Sequence, residues 1–578
     1  MVRFRGHHLV CLHFFKGEGY SPDFVSKLRE LLEVAEREGV EVVDGPDDLC
    51  LGCPHLSERG CAYKEGAEEE IRKQDEIALN FLGLGAGEKA SWKDIKFKVL
   101  SAPLRWFSSF CRGCDWKGLC DSIRGKKRKG DEIVVRIERA SYGSSGIGRA
   151  ENGMVVFVPL AIPGDLARCR IRKVRKSYLE ADIMELEEPS KLRVIPRCRH
   201  FPECGGCTWQ HVDYKAQLQM KESIVADLLE HIGGIRGRKG LLRPIIGMED
   251  PWFYRNKMEF SFKGPEILGL HRRGAFDSIV RIEECWLQSP ESNRILEAVR
   301  KFVEERAIPI YDEKRFTGIL RHLVIREGKN TGERMVNIVT APGEFDWIGD
   351  ISEVIINSAP ITSLYWTTNH HVSDAVRIGK TTLIHGNPFI RERIEGISYR
   401  IGLATFFQTN TKGAEILCKL VSEMADLKGD ELVFDLYCGI GTFAIYLSKM
   451  ASHVVGVEIL PEAVADAWEN AKENGVENIS FVEGDVGKSI KDLVERHGVP
   501  EVVVVDPPRS GMAPKALRRL AEIGPKRIIY VSCNPASLSR DLGMLEGMGY
   551  KVEEIQPVDL FPHTYHVECI ARIEKVEV

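Results

Sequence analysis

Four short runs in the last third of the chain are apolar at nearly every position instead of alternating with polar ones. They are Glu431-Leu-Val-Phe-Asp435, His453-Val-Val-Gly-Val457, Glu501-Val-Val-Val-Val505 and Arg527-Ile-Ile-Tyr-Val531. A strand covered on both faces reads this way. Stretches of helical length separate the four, so the pattern predicts an α/β, parallel, doubly wound sheet over residues 401–578. Upstream the pattern changes. Glu132-Ile-Val-Val-Arg-Ile-Glu138 opens a series of short strands, punctuated by Gly143, Gly146, Gly148 and Gly153, that runs to about residue 188. Short strands with glycine turns predict a small β-barrel over 123–189. Between the two, residues 190–400 mix strands and helices and read as a central α+β domain. Nearer the start, Phe24, Val25, Leu28, Leu31, Leu32 and Ala35 recur at helical spacing behind Ser21-Pro22, a capped amphipathic helix. Residues 1–122 are expected to be a mainly helical domain rich in cysteine.

The length of 578 residues agrees with three or four domains. With 43% hydrophobic and 29% charged residues the chain has material for several cores, which excludes global disorder. The formal charge of -5 gives no nucleic-acid signature on average, so any such signature must be local. Two local runs stand out: Lys126, Lys127, Arg128 and Lys129 before the barrel segment, and Arg168, Arg170, Arg172, Lys173, Arg175 and Lys176 near its end. They suit phosphate contact, although a solvated surface reads the same way. No apolar run reaches the roughly 18 residues of a membrane helix, and no secretory pattern opens the chain, so a cytoplasmic, membrane-free protein is expected, acting as a monomer.

Sixteen cysteines in such a chain do not suggest a disulfide framework. Cys11, Cys50, Cys53, Cys61, Cys111, Cys114 and Cys120 crowd the first domain, and Cys198, Cys204 and Cys207 form a triplet. Clusters of this kind point to metal or iron–sulfur ligation. Cys50-x2-Cys53 and Cys111-x2-Cys114, with Cys61 and Cys120, predict a further zinc or iron–sulfur site in the first domain, with His55 as an alternative ligand and ordinary reduced cysteines as the alternative reading.

The richest chemistry lies past residue 400. Asp435-Leu-Tyr-Cys-Gly-Ile-Gly-Thr-Phe443 follows an apolar run and leads into a helical one, so Gly439 and Gly441 allow a tight turn and close backbone approach to a ligand. Glu458 ends the next strand, where a carboxylate can meet ribose hydroxyls. Asp485 follows the third, within reach of an adenine amine. S-adenosylmethionine and a nicotinamide cofactor fit this loop equally well. Asp506-Pro-Pro-Arg509 ends the fourth strand, and its Arg509 disfavours an amino-methyltransferase site that stacks a flipped base on an aromatic residue. Cys533 ends the next strand in Tyr530-Val-Ser-Cys-Asn-Pro535, and Glu568 lies in His563-Thr-Tyr-His-Val-Glu568. Taken singly, each has a plainer reading as a turn, a packed thiol or a solvated carboxylate. Together they meet the needs of one reaction. Carbon 5 of uracil is a poor nucleophile until a thiolate adds at carbon 6. It can then take a methyl group from a sulfonium, after which a base removes the hydrogen at carbon 5 and the cysteine leaves.

Residues from about 190 to 578 closely resemble the RNA uracil-5-methyltransferase family. The resemblance rests on Phe406-Phe-Gln-Thr-Asn410, Asp435-Leu-Tyr-Cys-Gly-Ile-Gly441, Asp506-Pro-Pro-Arg509, Ser532-Cys-Asn-Pro-Ala536 and Phe561-Pro-His-Thr-Tyr-His-Val-Glu568, in order. It implies that Cys533 is the nucleophile and Glu568 the base. Gln408, Tyr437, Glu458, Asp485 and Asp506 would line the S-adenosylmethionine and uracil pocket. Thr442 stands at a further cofactor-loop position that is often Asn in the family. Cys198, Cys204, Cys207 and the distant Cys285 would hold a 4Fe–4S cluster, where four thiolates alone would allow zinc equally. The segment 126–188 resembles the family's accessory RNA-binding barrel, the TRAM domain. Arg5-Gly-His-His8, Asp44-Gly-Pro-Asp-Asp-Leu-Cys50 and Cys111-Arg-Gly-Cys-Asp-Trp116 resemble a small uncharacterised cysteine-rich family. The implied substrate is structured RNA, ribosomal or transfer, with a slight lean to ribosomal because the barrel and cluster are commoner there. A nicotinamide oxidoreductase would use the same glycine loop but leaves Asp506-Pro-Pro, Cys533 and the basic runs without a role. A non-catalytic RNA-binding protein would not need Cys533 and Glu568.

Overall fold

The computed structural model describes residues 1–578 apart from 16, 18, 101, 103, 118–119, 121–126, 236–239, 265, 371–378 and 577–578. It comprises two compact units, one of Met1–Ser141 with Ser145–Lys191 and the other of Tyr142–Ser144 with Leu192–Val578.

In the first unit, Val2–Arg5 and Val40–Val43 run parallel, with Val2 opposite Val40, and Lys89–Ala90 pairs antiparallel on the other side of Val40–Val43. Helix Pro22–Glu38 joins the two parallel strands. It starts where the sequence places it: the Ser21 hydroxyl accepts from Phe24 N at 3.1 Å, and Gly39 ends it at φ 77°. Its buried stripe is Phe24, Leu28, Leu31 and Ala35. Helices Ala67–Leu82, Trp92–Leu100 and Leu104–Phe110 complete a mainly helical block around a core that includes Phe4, Leu9, Trp92 and Phe107.

The barrel lies in the same unit. Glu132–Ala140, Ser145–Arg149, Val155–Pro159, Leu166–Val174 and Tyr178–Glu188 close into five strands. Alternate residues turn inward, with Ile133, Val135, Ile137, Ala167, Cys169 and Ile171 in the core. Gly148 is required by close strand approach, since a Cβ there would lie 2.3 Å from the Arg136 carbonyl oxygen. The outward residues include the expected basic run. Arg168 pairs with Glu187 at 2.9 Å, Arg170 with Glu132 at 3.2 Å and Arg172 with Glu180 at 3.2 Å. Exposed pairs of this kind hold each other weakly, so exchanging a carboxylate for a phosphate costs little. Of the basic segment before the barrel, Arg124, Gly125 and Lys126 lie outside the described residues.

The second unit carries two seven-stranded sheets. The central one has the order Ala275–Arg281, Leu268–Arg272, Lys257–Phe262, Leu320–Glu327, Arg334–Thr340, Ser363–Thr368 and Thr381–Gly386. Helices Pro290–Arg306 and Ile348–Ser358 share its core. In the C-terminal sheet we label the strands β1 Leu432–Leu436, β2 His453–Glu458, β3 Ile479–Glu483, β4 Val502–Val505, β5 Arg527–Ser532, β6 Tyr550–Val558 and β7 Glu568–Lys575. Their spatial order is β3-β2-β1-β4-β5-β7-β6. The first five are parallel, and β7 enters antiparallel between β5 and β6. All four residues of β4 are buried, as the continuous apolar run requires. Among the described residues no helix is long and apolar enough to cross a membrane.

Candidate active site

Parallel strands deliver their C-terminal ends to one edge of the sheet, and the sharp chain reversals of the glycine loop lie at that edge. Tyr437, Gly439 and Gly441 adopt φ of 67°, 55° and 82° just beyond β1. Asp506 follows β4 directly, and Cys533 follows β5. On the antiparallel neighbour β7, Cys569 pairs with Ser532. Cys533 and Glu568 are the next residues on from that pair, close enough that Glu568 raises the Cys533 thiol. The loops are tied together: the Asn534 side-chain amide donates to the Arg509 carbonyl at 2.8 Å, joining the Asp-Pro-Pro-Arg turn to the cysteine turn.

Glu568 is buried at this edge, and Asp506 and Cys533 are half-buried. Glu568 is 1% exposed, and its Oε2 has no hydrogen-bond partner among the described residues. Burial, reinforced by Asp506, pushes its carboxyl well above the ordinary range, while Arg509 pulls the other way. Burial raises Asp506 to about 7. The Cys533 thiol is pushed up to about 11, by burial and then by Glu568 and Asp506, with Arg509 opposing. Thiol and carboxyls are therefore held near their neutral forms, and Arg509 favours the anion of both Cys533 and Glu568. Gln408 Nε2 donates to Asp506 Oδ2 at 3.1 Å, which brings the Phe406–Asn410 segment to the same edge. That segment is held by Asn256, whose amide donates to the Gln408 carbonyl at 2.9 Å, and by Asn410, whose amide donates to the Leu560 carbonyl at 2.9 Å.

The remaining expected cofactor residues line the β1–β3 side. Glu458 Oε2 accepts from Gly439 N at 3.1 Å, and its Oε1 accepts from Ile459 N and Leu460 N. Glu458 thus shapes the glycine loop. Asp485 caps helix Val486–His497, accepting from Lys488 N at 3.0 Å, and with Tyr437, Ile459 and Arg519 it lines a cavity of about 240 Å³. Burial raises the Tyr437 phenol to about 12. Thr442 opens helix Thr442–Leu447, and its carbonyl accepts from the buried Tyr399 hydroxyl at 3.0 Å.

A set of positioning residues was not anticipated. Lys221, in helix Tyr214–His231, is fully buried and contacts Asp559 at 2.5 Å and the Phe561 carbonyl at 3.0 Å. On the same helix, Gln217 Oε1 accepts from His563 N at 2.9 Å, and Tyr214 donates to Asp559 at 2.9 Å. The Tyr254 hydroxyl donates to the Pro562 carbonyl. His563 itself is left-handed, at φ 65°. The segment that carries Glu568 into the site is therefore fastened to the central domain. A lysine in a helix reads as a surface residue, and its partner lies 338 residues away, so local pattern held no clue.

The four cysteines of the central domain do come together. Cys198, Cys204, Cys207 and Cys285 line one cavity of about 840 Å³, along with Arg255, Arg273, Phe406 and Phe407. Burial raises every thiol, that of Cys204 to about 12. Gln210 Nε2 donates to Cys207 Sγ at 3.2 Å, and Gly206 N donates to Cys204 Sγ at 3.4 Å. Buried thiols drawn round one space, with N–H groups aimed at sulfur, suit thiolate ligation.

Fold and site edge together define a Rossmann-like methyltransferase. The tRNA (Uracil-5-)-methyltransferase family model matches residues 367–576, the TRAM domain model matches 126–184, and a protein family of unknown function, DUF1284, matches 19–120. An uncharacterized RNA methyltransferase of Caldanaerobacter subterraneus is 38% identical over 77% of this chain and 99% of its own length. One from Bacteroides thetaiotaomicron is 38% identical over 73% and 97%. The crystal structure of Pyrococcus abyssi tRNA (uracil-54, C5)-methyltransferase in complex with S-adenosyl-L-homocysteine superposes with a TM-score of 0.60 at 30% identity, covering 76% of this chain and 100% of that one. The chain belongs to the RNA (uracil-5-)-methyltransferase family, with a TRAM domain and a DUF1284 domain ahead of the catalytic part.

Proposed function

We propose that the protein methylates carbon 5 of a uridine in structured RNA through a covalent adduct of Cys533. The observation that carries this reading is the gathering of Cys533 and Glu568 just beyond the Ser532–Cys569 pair of β5 and β7, where Glu568 and Asp506 both raise the thiol and Gln408 bonds Asp506. S-adenosylmethionine, which Tyr437, Thr442, Glu458 and Asp485 would hold, would supply the methyl group and leave as S-adenosylhomocysteine. Cys533 sulfur adds to carbon 6 of the uracil, and the electron pair of the 5,6 double bond moves to carbon 5, which becomes the nucleophile. Arg509 favours the thiolate needed for this step. Once carbon 5 carries the methyl group, Glu568 takes its remaining hydrogen as a proton, the 5,6 double bond re-forms and Cys533 leaves as thiolate. A carboxylate whose neutral form is favoured by burial is a stronger base than an exposed one, which suits Glu568 to this proton. Asp506 and Gln408 orient the uracil edge. The target base must leave its stack to reach this pocket.

The donor set of Cys198, Cys204, Cys207 and Cys285 fits a 4Fe–4S cluster that would organise the central domain and the cavity wall. The barrel's exposed arginines would contact phosphate. The solved relative acts on tRNA, which makes tRNA and large-subunit rRNA the two substrates to compare.

RNA carrying 5-fluorouridine tests the covalent route. Glu568 can remove a proton from carbon 5 but not a fluorine, so the methylated adduct should persist on denaturing gels with wild type and be absent with Cys533→Ala. Comparing tRNA and rRNA transcripts would identify the substrate. Methyl transfer to ordinary uridine without any trapped adduct on the fluorinated RNA would overturn the covalent reading.

A further inference from the structure

The first unit contains a second gathering of thiols that the methyl-transfer reaction does not use. Cys61, Cys111, Cys114 and Cys120 line one cavity of about 240 Å³, with Cys11 at its wall and Tyr20 and Trp116 beside them. They arrive from separate pieces of chain. Cys61 lies on the two-residue strand Gly60–Cys61, whereas Cys111 and Cys114 lie in the turn after helix Leu104–Phe110. Cys114 N donates to the Cys111 carbonyl at 3.2 Å, and Cys120 N to the Trp116 carbonyl at 2.9 Å. The two sides meet through Tyr20, whose ring stands edge-on to Trp116 at 5.8 Å and to His55 at 4.9 Å.

A network of buried charge holds one of these cysteines in place. Arg5 is 1% exposed and contacts Asp75 at 2.8 Å and Glu68 at 3.1 Å. Glu68 Oε2 in turn accepts from Cys61 N at 2.9 Å. Buried ion networks contribute little net stability but fix position strongly. Here the position fixed is that of a cysteine on a strand too short to fix itself. Gly60, at φ 101°, lets the strand pass against Glu68, since a Cβ there would lie 2.6 Å from the carboxylate.

Of the two C-x2-C motifs, Cys111 and Cys114 line this cavity. Neither Cys50 nor Cys53 lines it, although Cys53 stands close enough to Cys61 to interact with it electrostatically. Cys50 lies beside His8 and Asp47, and these three ligand atoms are within 4.8 Å of one another, the only such trio among the described residues. That trio is already a structural hub: Asp47 accepts from Arg5 N, Leu49 N and Cys50 N and contacts His8 Nδ1 at 2.6 Å. Four thiolates around one zinc stand about 4 Å apart, from Zn–S bonds of about 2.3 Å. Among the described residues no three of the cavity cysteines have their sulfurs all within 4.8 Å of one another, and the space they line suits a multi-atom centre.

We propose that Cys61, Cys111, Cys114 and Cys120 hold an iron–sulfur cluster in the N-terminal domain, separate from the site of Cys198, Cys204, Cys207 and Cys285. Iron and acid-labile sulfide in the anaerobically prepared full chain test it, in wild type, Cys114→Ser, Cys204→Ser and the double variant. A cubane at each site gives about 8, 4, 4 and 0 irons per chain. Values of about 4, 0, 4 and 0 would support the N-terminal cluster and sink the central one. Iron unchanged by Cys114→Ser would overturn the proposal, as would one zinc per chain lost with Cys50→Ser and kept with Cys114→Ser. Should Cys114→Ser fail to fold, alkylation of wild type decides. Cys61, Cys111, Cys114 and Cys120 should resist iodoacetamide before chelation and label after it. Equal labelling before and after would overturn the proposal.

Discussion

The C-terminal sheet edge and the N-terminal cysteine block are both built to place reactive side chains, and they do so by different means. At the sheet edge, Asp506, Cys533 and Glu568 stand at the ends of ladder-paired strands over two fully buried apolar layers. In the N-terminal block the cysteines stand on turns and a two-residue strand, fixed by side chains such as Arg5 and Glu68. Rigid elements suit a site that must aim atoms at a substrate. A site on turns suits a bound centre, which contributes folding free energy itself. Substitutions at the sheet edge should therefore cost turnover and spare stability, and those at the cysteine cavity should do the reverse.

Four measurements bear on that contrast, from the largest expected effect down. Cys533→Ala should lower methyl transfer by about 10⁴-fold or more, with S-adenosylmethionine and RNA binding retained and the melting temperature unchanged. Activity within tenfold of wild type would remove Cys533 from the mechanism. Glu568→Gln should slow turnover by about 10²–10⁴-fold and accumulate a protein–RNA adduct on denaturing gels. Normal product release with no adduct would assign the base elsewhere. Lys221→Met crosses the two categories, because it leaves Asp559 buried without its partner. It should destabilise the second unit by about 3–5 kcal/mol in denaturant titrations and also lower kcat, since the segment leading to Glu568 loses its anchor. Lost stability with unchanged kcat would separate the anchor from the chemistry.

The smallest effect concerns Asp435, buried at the end of β1. Burial, with Asp506 nearby, raises its carboxyl to about 8. Between about pH 4 and 8 the folded chain keeps this proton and the unfolded chain does not, so its contribution to stability is full below pH 4 and is lost as pH rises through 8. Asp435→Asn removes that slope. Its stability relative to wild type should rise by roughly 1–3 kcal/mol between pH 5 and pH 8, read from denaturation midpoints. A pH-independent difference would show that the carboxyl titrates normally.

The same contrast explains what could be read from the chain. β1, β2, β4 and β5 are legible because burial on both faces leaves continuous apolar runs, and the ends of those runs mark Asp435, Glu458, Asp506 and Cys533. The helix from Pro22 is legible because Ser21, Pro22 and Gly39 punctuate it. The strands Val2–Arg5, Val40–Val43 and Lys89–Ala90 are too short to show a period, and their pairing is set by tertiary contact. Lys221 and Asp559 are invisible for a different reason: a buried ion pair has the composition of a surface one, and only the fold makes it costly to break. The spacing of the first domain's cysteines marks them as candidate ligands, but which of them share a cavity depends on Arg5, Glu68 and Tyr20, which no spacing reports.

The place of Cys533 and Glu568 just beyond the last pair of the β5–β7 ladder has a consequence for how this protein can be altered. Their neighbours Ser532 and Cys569 are held on adjacent strands about 4.8 Å apart, so where the two residues emerge depends on backbone registry. Exchanging a residue at either position tunes acidity or nucleophilicity at fixed geometry. Inserting or deleting one residue within β7 shifts the registry by one, turns Glu568 to the opposite face and brings a neighbour to the thiol. Libraries that vary length should therefore avoid β5 and β7, while substitutions at 533 and 568 leave the registry of the site in place.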